Sequence, residues 1–420
     1  MNQMDICDCC PYKPVGPMVM LGSLIRGYQA FLMVIDVKSK VVSSMHGMHG
    51  GMKTNSKGRL LVFNCHEAWV YQLTSLDYDL DIAVGLPGRH ILGWDYHTRP
   101  LPPGARTLAY QDALASSQRY TCLICHNPSD LMDIKHRPEP RILVLHLPVE
   151  ARLVEEKSAL TAEQAKSLLT HYIKITGAHV VGVTPMKGRS WGHSEDIIPF
   201  GIDANEYLPY LGHKVAGIRI SNFVTRRRTF LNWDFHEKAF AGLPVTLIGH
   251  NPDIPHVYPS QNWDHLKQQL QSHRFYIHTA DPVLEDGYNM AMVEAMAAGL
   301  PILGNTHPST IIKHGINGFI SNSPAELKSY AQRLLTDRPL AVALGRAARE
   351  TAQQRFSLPA FKTAFEKAIE TAQLKRHRAV DPSAPESGQP IGHPMPIPDL
   401  IELPKKSSRP MRKTLGVRSP

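Results

Sequence analysis

No stretch of about eighteen uncharged apolar residues occurs in this sequence, which excludes a membrane-spanning helix of the usual kind. Residues 15–35 come nearest, and Arg26 and Gln29 interrupt them. A basic leader segment followed by a cleavage site is also missing, so no secretory signal is read. Cysteine is scarce: six among 420 residues, with Cys7, Cys9 and Cys10 crowded at the start and Cys65, Cys122 and Cys125 in apolar runs. That spacing is not a disulfide framework and points to a reducing cytoplasm. Acids are outnumbered, leaving a formal net charge of +9. An excess of that size suggests nucleic acid or an anionic membrane. Much of it, however, lies in the C-terminal segment, at Lys375, Arg376, Arg378, Lys405, Lys406, Arg409, Arg412, Lys413 and Arg418. The remaining body is mildly basic, as suits a binder of anionic small molecules. No nucleic-acid partner is expected. Weak association of the basic tail with the inner face of an anionic membrane is an added expectation.

What is present is an alternation of short apolar runs with helical patterns. Strands are read at 60–64, 82–85, 91–93, 120–125, 142–147 and 179–183, with a helix over 161–176 that Thr161 caps. A second series follows: strands at 217–223 and 245–248, helices at 233–241 and 265–272, then a strand, loop and helix over 274–301. Helices at 324–335, 340–354 and 358–374 complete it. This describes α/β lobes with parallel sheets, whose ligands gather at the carboxyl ends of the strands. The expected organisation is a poorly ordered extension over 1–51, a first domain over 52–205 and a second over 214–354. An amphipathic helix over 355–374 and a disordered, basic, Pro-rich tail over 375–420 follow. The extension fits the rest poorly: either Met52 is the true initiator or 1–51 is a loose extension.

The stretch RFYIHTADPVLEDGYNMAMVEAMAAGLP, from Arg274 to Pro301, organises the second lobe. A strand feeding a loop and a helix start aims backbone N–H groups at the mouth of a sheet, a site that suits phosphate. Glu285, Asp286 and Glu294 flank it. Carboxylates do not bind phosphate but accept hydrogen bonds from sugar hydroxyls. Together these features describe a pocket for a nucleotide-sugar.

Asp286, seven residues, Glu294 and then E-A-M-A-x-G-x-P resemble the donor-site signature of GT-B glycosyltransferases, family 4 in particular. Two positions depart from it: the first acid is usually Glu, and the second glycine of the usual Gly-Phe-Gly is Asn289. Ile198–Tyr207 is similar to the element that ends the family's first domain. The resemblance implies two Rossmann-like domains facing across a cleft, with the last helix crossing back onto the first. It implies a retaining glycosyltransferase that moves a sugar from a nucleotide-sugar to an unidentified acceptor. By the same resemblance Glu294 holds the ribose hydroxyls, and Asp286 or Glu285 the sugar ring. Backbone N–H groups of Gly287, Tyr288, Asn289 and Met290 meet phosphate or sugar. The family places a basic pair after the first strand of this lobe to neutralise the diphosphate, and Arg226, Arg227 and Arg228 stand there. Gly249 and Asn251, just past the next strand, are further substrate-binding candidates. The family needs no donor metal and no other cofactor.

In the first lobe, His126 ends a strand and is a candidate for orienting acceptor or donor. A core histidine is the alternative. His66 and Glu67 share its geometry. The Cys122-Leu-Ile-Cys125-His126 run spells a haem-attachment motif but lies in an apolar strand. Asp77, Asp79 and Asp81 imitate a cation loop, yet Ile82 stands where such a loop needs glycine. No carboxylate stands out as a covalent nucleophile, which favours front-face transfer assisted by the departing diphosphate. A non-catalytic binding or scaffold protein of the same fold and a sugar-nucleotide epimerase are the competing readings.

Overall fold

Short apolar segments separated by polar turns bury both faces only when helices cover a parallel sheet on each side. The computed structural model describes residues 56–88 and 92–380 and contains two such sheets. The first holds β1 (Arg59–Phe63), β2 (Asp79–Val84), β3 (Ala105–Ala109), β4 (Cys122–Cys125), β5 (Arg141–Leu145) and β6 (His179–Gly182), in the order β3-β2-β1-β4-β5-β6. The second holds β7 (Lys214–Ile220), β8 (Val245–Ile248), β9 (His273–His278), β10 (Ile302–Gly304) and β11 (Gly318–Ile320), in the order β11-β10-β9-β7-β8. Every pairing between these strands is parallel. In each sheet the strand order reverses beside its first strand, between β1 and β4 and between β7 and β9. Such reversals open the crevices in which this architecture binds ligands.

The first lobe carries α1 (Glu67–Tyr71), α2 (Tyr110–Ala115), α3 (Pro128–Asp133), α4 (Val149–Glu155), α5 (Ala162–Thr176) and α6 (Pro185–Ser190). The second carries α7 (Trp233–Phe240), α8 (Trp263–Ser272), α9 (Met290–Ala297), α10 (Pro324–Thr336) and α11 (Arg338–Arg355). As its sequence signals require, α5 starts in a capping box of Thr161 with Gln164 and stops at left-handed Gly177. The α9 helix is Ala- and Met-rich around its whole circumference and correspondingly buried on all sides. Glu294 is its one charged residue.

After α11 the chain turns back, and α12 (Leu358–Val380) lies on the first lobe. Phe361, Phe365 and Ile369 are buried there, and both phenyl rings pack edge-on against Trp69 of α1. Lys362 to Asp77 and Lys57 to Glu366, each 2.5 Å, tie its outer face down. The described residues all fall within a single contact unit, and one apolar core runs from Leu60 through Phe200, Tyr288 and Phe356 to Ala372.

The structure departs from the sequence reading at several elements. The third strand is Ala105–Ala109, an exposed edge strand whose residues ARTLA carry no apolar run. Leu92 and Gly93 lie outside any strand, and residue 91 lies outside the described residues. The last helix extends to Val380. Asp79 and Asp81 belong to β2. Asp81 is fully buried and takes bonds from Arg59, Arg106 and Tyr120, a structural network and not a cation loop. Cys122 and Cys125 face opposite sides of the first sheet, one in each core, so they cannot share a haem. The expected 1–51 extension falls outside the described residues, as does the tail from 381 onward. Among the described residues no helix is long and apolar enough to cross a membrane.

Candidate functional site

The chain leaves β9 at His278, makes an acidic turn and enters α9. Asp281 Oδ1 accepts from the N–H groups of Val283 and Leu284, which shapes the turn. Asn289 caps α9, its side chain accepting from Met292 N. The residue that replaces the usual glycine is therefore the helix cap. Gly287 donates its N–H to Ser309 Oγ at 2.9 Å. A Cβ there would stand 2.7 Å from both His307 Nδ1 and Thr310 N, so only glycine fits without displacing that loop.

Asp286 is fully buried at the interface of the two lobes. Thr184 Oγ1, just past β6 in the first lobe, donates to its Oδ2 at 2.7 Å. Ser309 Oγ donates to Oδ1 at 3.0 Å, and Lys187 Nζ of α6 lies 3.3 Å away. Glu285 meets Lys187 at 3.7 Å and Arg227 at 3.1 Å. Its burial works against the charged form, but Lys187 and Arg227 outweigh that and hold the carboxyl below the ordinary glutamate range. Glu294, one turn inside α9, pairs with Arg99 of the first lobe. The Arg99 guanidinium also stacks 3.5 Å from the Trp263 ring centroid. Beside it His97 and Ser260 exchange contacts of 2.8 and 2.7 Å, so the 92–101 loop is strapped across both lobes.

Of the three arginines after β7, the structure brings only Arg227 to this cluster. Its Nε is buried without a hydrogen-bond partner, and its guanidinium lies over the Phe230 ring. Arg226 lies over the Phe223 ring and 3.7 Å from Asp253. Arg228 pairs with Asp234 and Glu237 of α7 on the exposed surface. The start of α7 accounts for this divergence: Asp234 in its first turn and Glu237 in the next draw Arg228 away. Phe223 holds a left-handed φ of 53°, a conformation seldom adopted by an aromatic residue and typical of ligand-facing loops.

The other sequence candidates fall into two groups. Asn251 takes Val224 N and donates to Ser221 O, pinning the loop after β7. Gly249 has φ 144°, and a Cβ there would meet Ser221 O at 2.2 Å. Asn251 also lines a cavity of about 260 Å3 framed by His250–Pro259. Tyr288 and Met290 are buried, Tyr288 packing on Phe200 and Phe356 where the lobes meet. In the first lobe, His66 Nδ1 caps α1 and Glu67 accepts from Asn64, while His126 Nδ1 lies 2.8 Å from His146 Nε2. None of these reaches the carboxylates. Arg99, Thr184 and Lys187 do, and sequence reasoning missed them. Thr184-Pro185 directly after a strand was the available signal, a helix cap with Pro at N1. Arg99 sits in a Pro-rich loop that carries no signal.

Two parallel α/β lobes, with acids of the second meeting cations of the first at the strand ends, define the GT-B class. Residues 251–351 match the family described as glycosyl transferases group 1. The match lies within the second lobe of a chain of GT-B fold. Among solved structures, HepE from Anabaena, determined with UDP and glucose, superposes with TM-score 0.55 at 12% identity, covering 74% of this chain and 99% of that one. Sucrose-phosphate synthase from Thermosynechococcus elongatus gives TM-score 0.53 at 13% identity, covering 77% and 100%. A glycosyltransferase from Rickettsia africae gives 0.51 at 11%, covering 76% and 99%. No curated protein sequence matches the chain.

Proposed function

We propose that this protein is a retaining glycosyltransferase that takes a sugar from a nucleotide-sugar donor to a hydroxyl acceptor. The observation that carries the reading is the buried Glu285–Asp286 pair with Arg227 and Lys187 around it, one lobe supplying each cation. Arg227 and Lys187 would neutralise the diphosphate and offset the charge that grows on it as the glycosidic bond breaks. Asp286 and Glu285 would accept from sugar hydroxyls. Glu294 would exchange Arg99 for the ribose hydroxyls, so donor entry requires the 92–101 loop to yield. Closure then excludes the water that would hydrolyse the donor. The departing diphosphate takes the acceptor proton, and no metal is required at this point. HepE's complexes with UDP and UDP-glucose support a donor of this class.

The test is a thermal-shift screen of the full chain against UDP-, GDP- and ADP-sugars, followed by a turnover assay with the nucleotide that shifts. The expected result is one nucleotide class that stabilises the fold and whose sugar is transferred or slowly hydrolysed. Stabilisation with neither would support a non-catalytic binding protein. Conversion of the donor to an epimeric nucleotide-sugar, with no acceptor and no sugar released, would support an epimerase.

A further inference from the structure

Three neighbouring strands of the first sheet end in potential metal ligands. Cys65 follows β1, His126 follows β4 and His146 follows β5. The ligand atoms all lie within 4.8 Å of one another. Cys65 Sγ is 3.7 Å from His146 Nε2, and His126 Nδ1 is 2.8 Å from the same nitrogen. His126 is buried, whereas Cys65 and His146 are half-buried, which leaves a way in from solvent. Both imidazoles are held in place. Trp69 packs edge-on against each, at 4.9 and 5.2 Å between centroids. Asp130 accepts the backbone N–H of His126 at 2.9 Å and fixes that strand end. The group stands at the reversal of strand order between β1 and β4, where this architecture places ligands.

We propose that Cys65, His126 and His146 form a binding site for a thiolate- and imidazole-seeking divalent transition metal, Zn2+ foremost. The donor set excludes Mg2+ and Ca2+, which take oxygen ligands, and fits a borderline-soft ion. The spacing fits as well. Tetrahedral zinc with bonds of about 2.3 Å to sulfur and about 2.0 Å to nitrogen separates sulfur from nitrogen by roughly 3.5 Å and two nitrogens by roughly 3.3 Å. The distance from Cys65 to His146 is already near that value, the two imidazoles must part by about half an ångström, and Cys65 Sγ lies within 4.8 Å of the His126 ligand atom, from which it closes in on binding. Binding releases the Cys65 thiol proton. The proton shared between the imidazoles moves to a ring nitrogen facing away, so that Nδ1 of His126 and Nε2 of His146 both present lone pairs. Three protein ligands leave a fourth position for water or another oxygen ligand, as in open zinc sites. Metal binding here does not rest on the donor chemistry proposed for the second lobe.

The full chain, stripped with a chelator, reloaded with Zn2+ and dialysed, is analysed for bound metal. Wild type and a Cys7→Ser/Cys9→Ser/Cys10→Ser variant should each retain about one zinc per chain, and Cys65→Ser and His146→Ala less than about a tenth of that. Co2+ in place of Zn2+ should give a thiolate-to-cobalt charge-transfer band that Cys65→Ser abolishes. Because a variant could lose metal by unfolding, alkylation of Cys65 in the wild type supplies a readout without mutation. Zn2+ should slow it about tenfold or more, since a bound thiolate is not free to react. Zinc retained by Cys65→Ser, loss of zinc from the triple N-terminal variant alone, or an alkylation rate unchanged by Zn2+ would each overturn the proposal.

Discussion

At the reversal point of the first sheet, the strand ends carry Cys65, His126 and His146, a thiol and two imidazoles. At the matching point of the second sheet, they carry Arg227, Glu285 and Asp286, with Lys187 reaching over from the first lobe. The backbone framework is the same: parallel strands, a reversal beside the first strand, and loops opening on the same kind of edge. The fold thus fixes where a ligand can sit, and the loop residues fix which ligand chemistry it meets. Charged partners are tolerated in the second lobe because each carboxylate there has a cation or a hydroxyl within reach. The first lobe instead offers a thiol and two imidazoles packed against Trp69, donors for a soft metal ion and not for sugar or phosphate.

The contrast can be broken most sharply at Glu294. Changing it to Gln keeps the side chain's size but removes the charge facing Arg99, and donor turnover should fall by about a hundredfold or more in a transfer assay, the scale of a lost charged contact in a reacting site. Stability should fall too, by about 3 kcal/mol in denaturant unfolding, because Arg99 is left buried without its counter-charge. Next comes the comparison within the arginine run. Arg227→Ala should reduce kcat/KM by roughly ten- to a hundredfold. Arg228→Ala should leave it within about twofold and change stability little, since its partners are exposed acids of its own lobe. Equal losses from both would remove Arg227 from its assigned place.

A smaller effect comes from buried histidines in both lobes. Burial, aided by Lys375 and opposed by Asp196, pushes His179 of the first lobe down to about 4. Burial also brings His273 and His278 of the second to about 4. Because these folded values lie below the unfolded one near 6.5, the unfolded chain binds more protons between about pH 6.5 and 4. Stability is therefore full above that window and falls as pH drops through it, by about 1 kcal/mol per histidine at about pH 5.5. Melting temperature measured from neutral pH downward should decline before the carboxylates titrate. A flat profile to about pH 5 would contradict the burial assigned to these rings.

How much of this was legible in the sequence differed between the same two regions. The second lobe was readable because its site is local: strand, acidic turn, cap and helix lie within Arg274–Pro301, and their spacing survives in one continuous run. The first-lobe cluster was not, because its residues lie apart in the chain and meet only through the strand order. His126 was singled out without His146 or Cys65. Arg99 and Lys187 were invisible for a related reason, since their partners belong to the other lobe. Strand β3 escaped because an exposed edge needs no apolar run. The divergence of Arg226 and Arg228 depended on Asp253, Asp234 and Glu237, whose positions no local spacing gives.

Calorimetric titration of the full chain with the nucleoside diphosphate chosen by the thermal-shift screen tests the central claim most directly. The account predicts one saturable site per chain, weakened about tenfold or more by Arg227→Ala and unaffected by Arg228→Ala or Cys65→Ser. Binding that survives Arg227→Ala and Glu294→Gln undiminished, or that vanishes with Cys65→Ser, would contradict it.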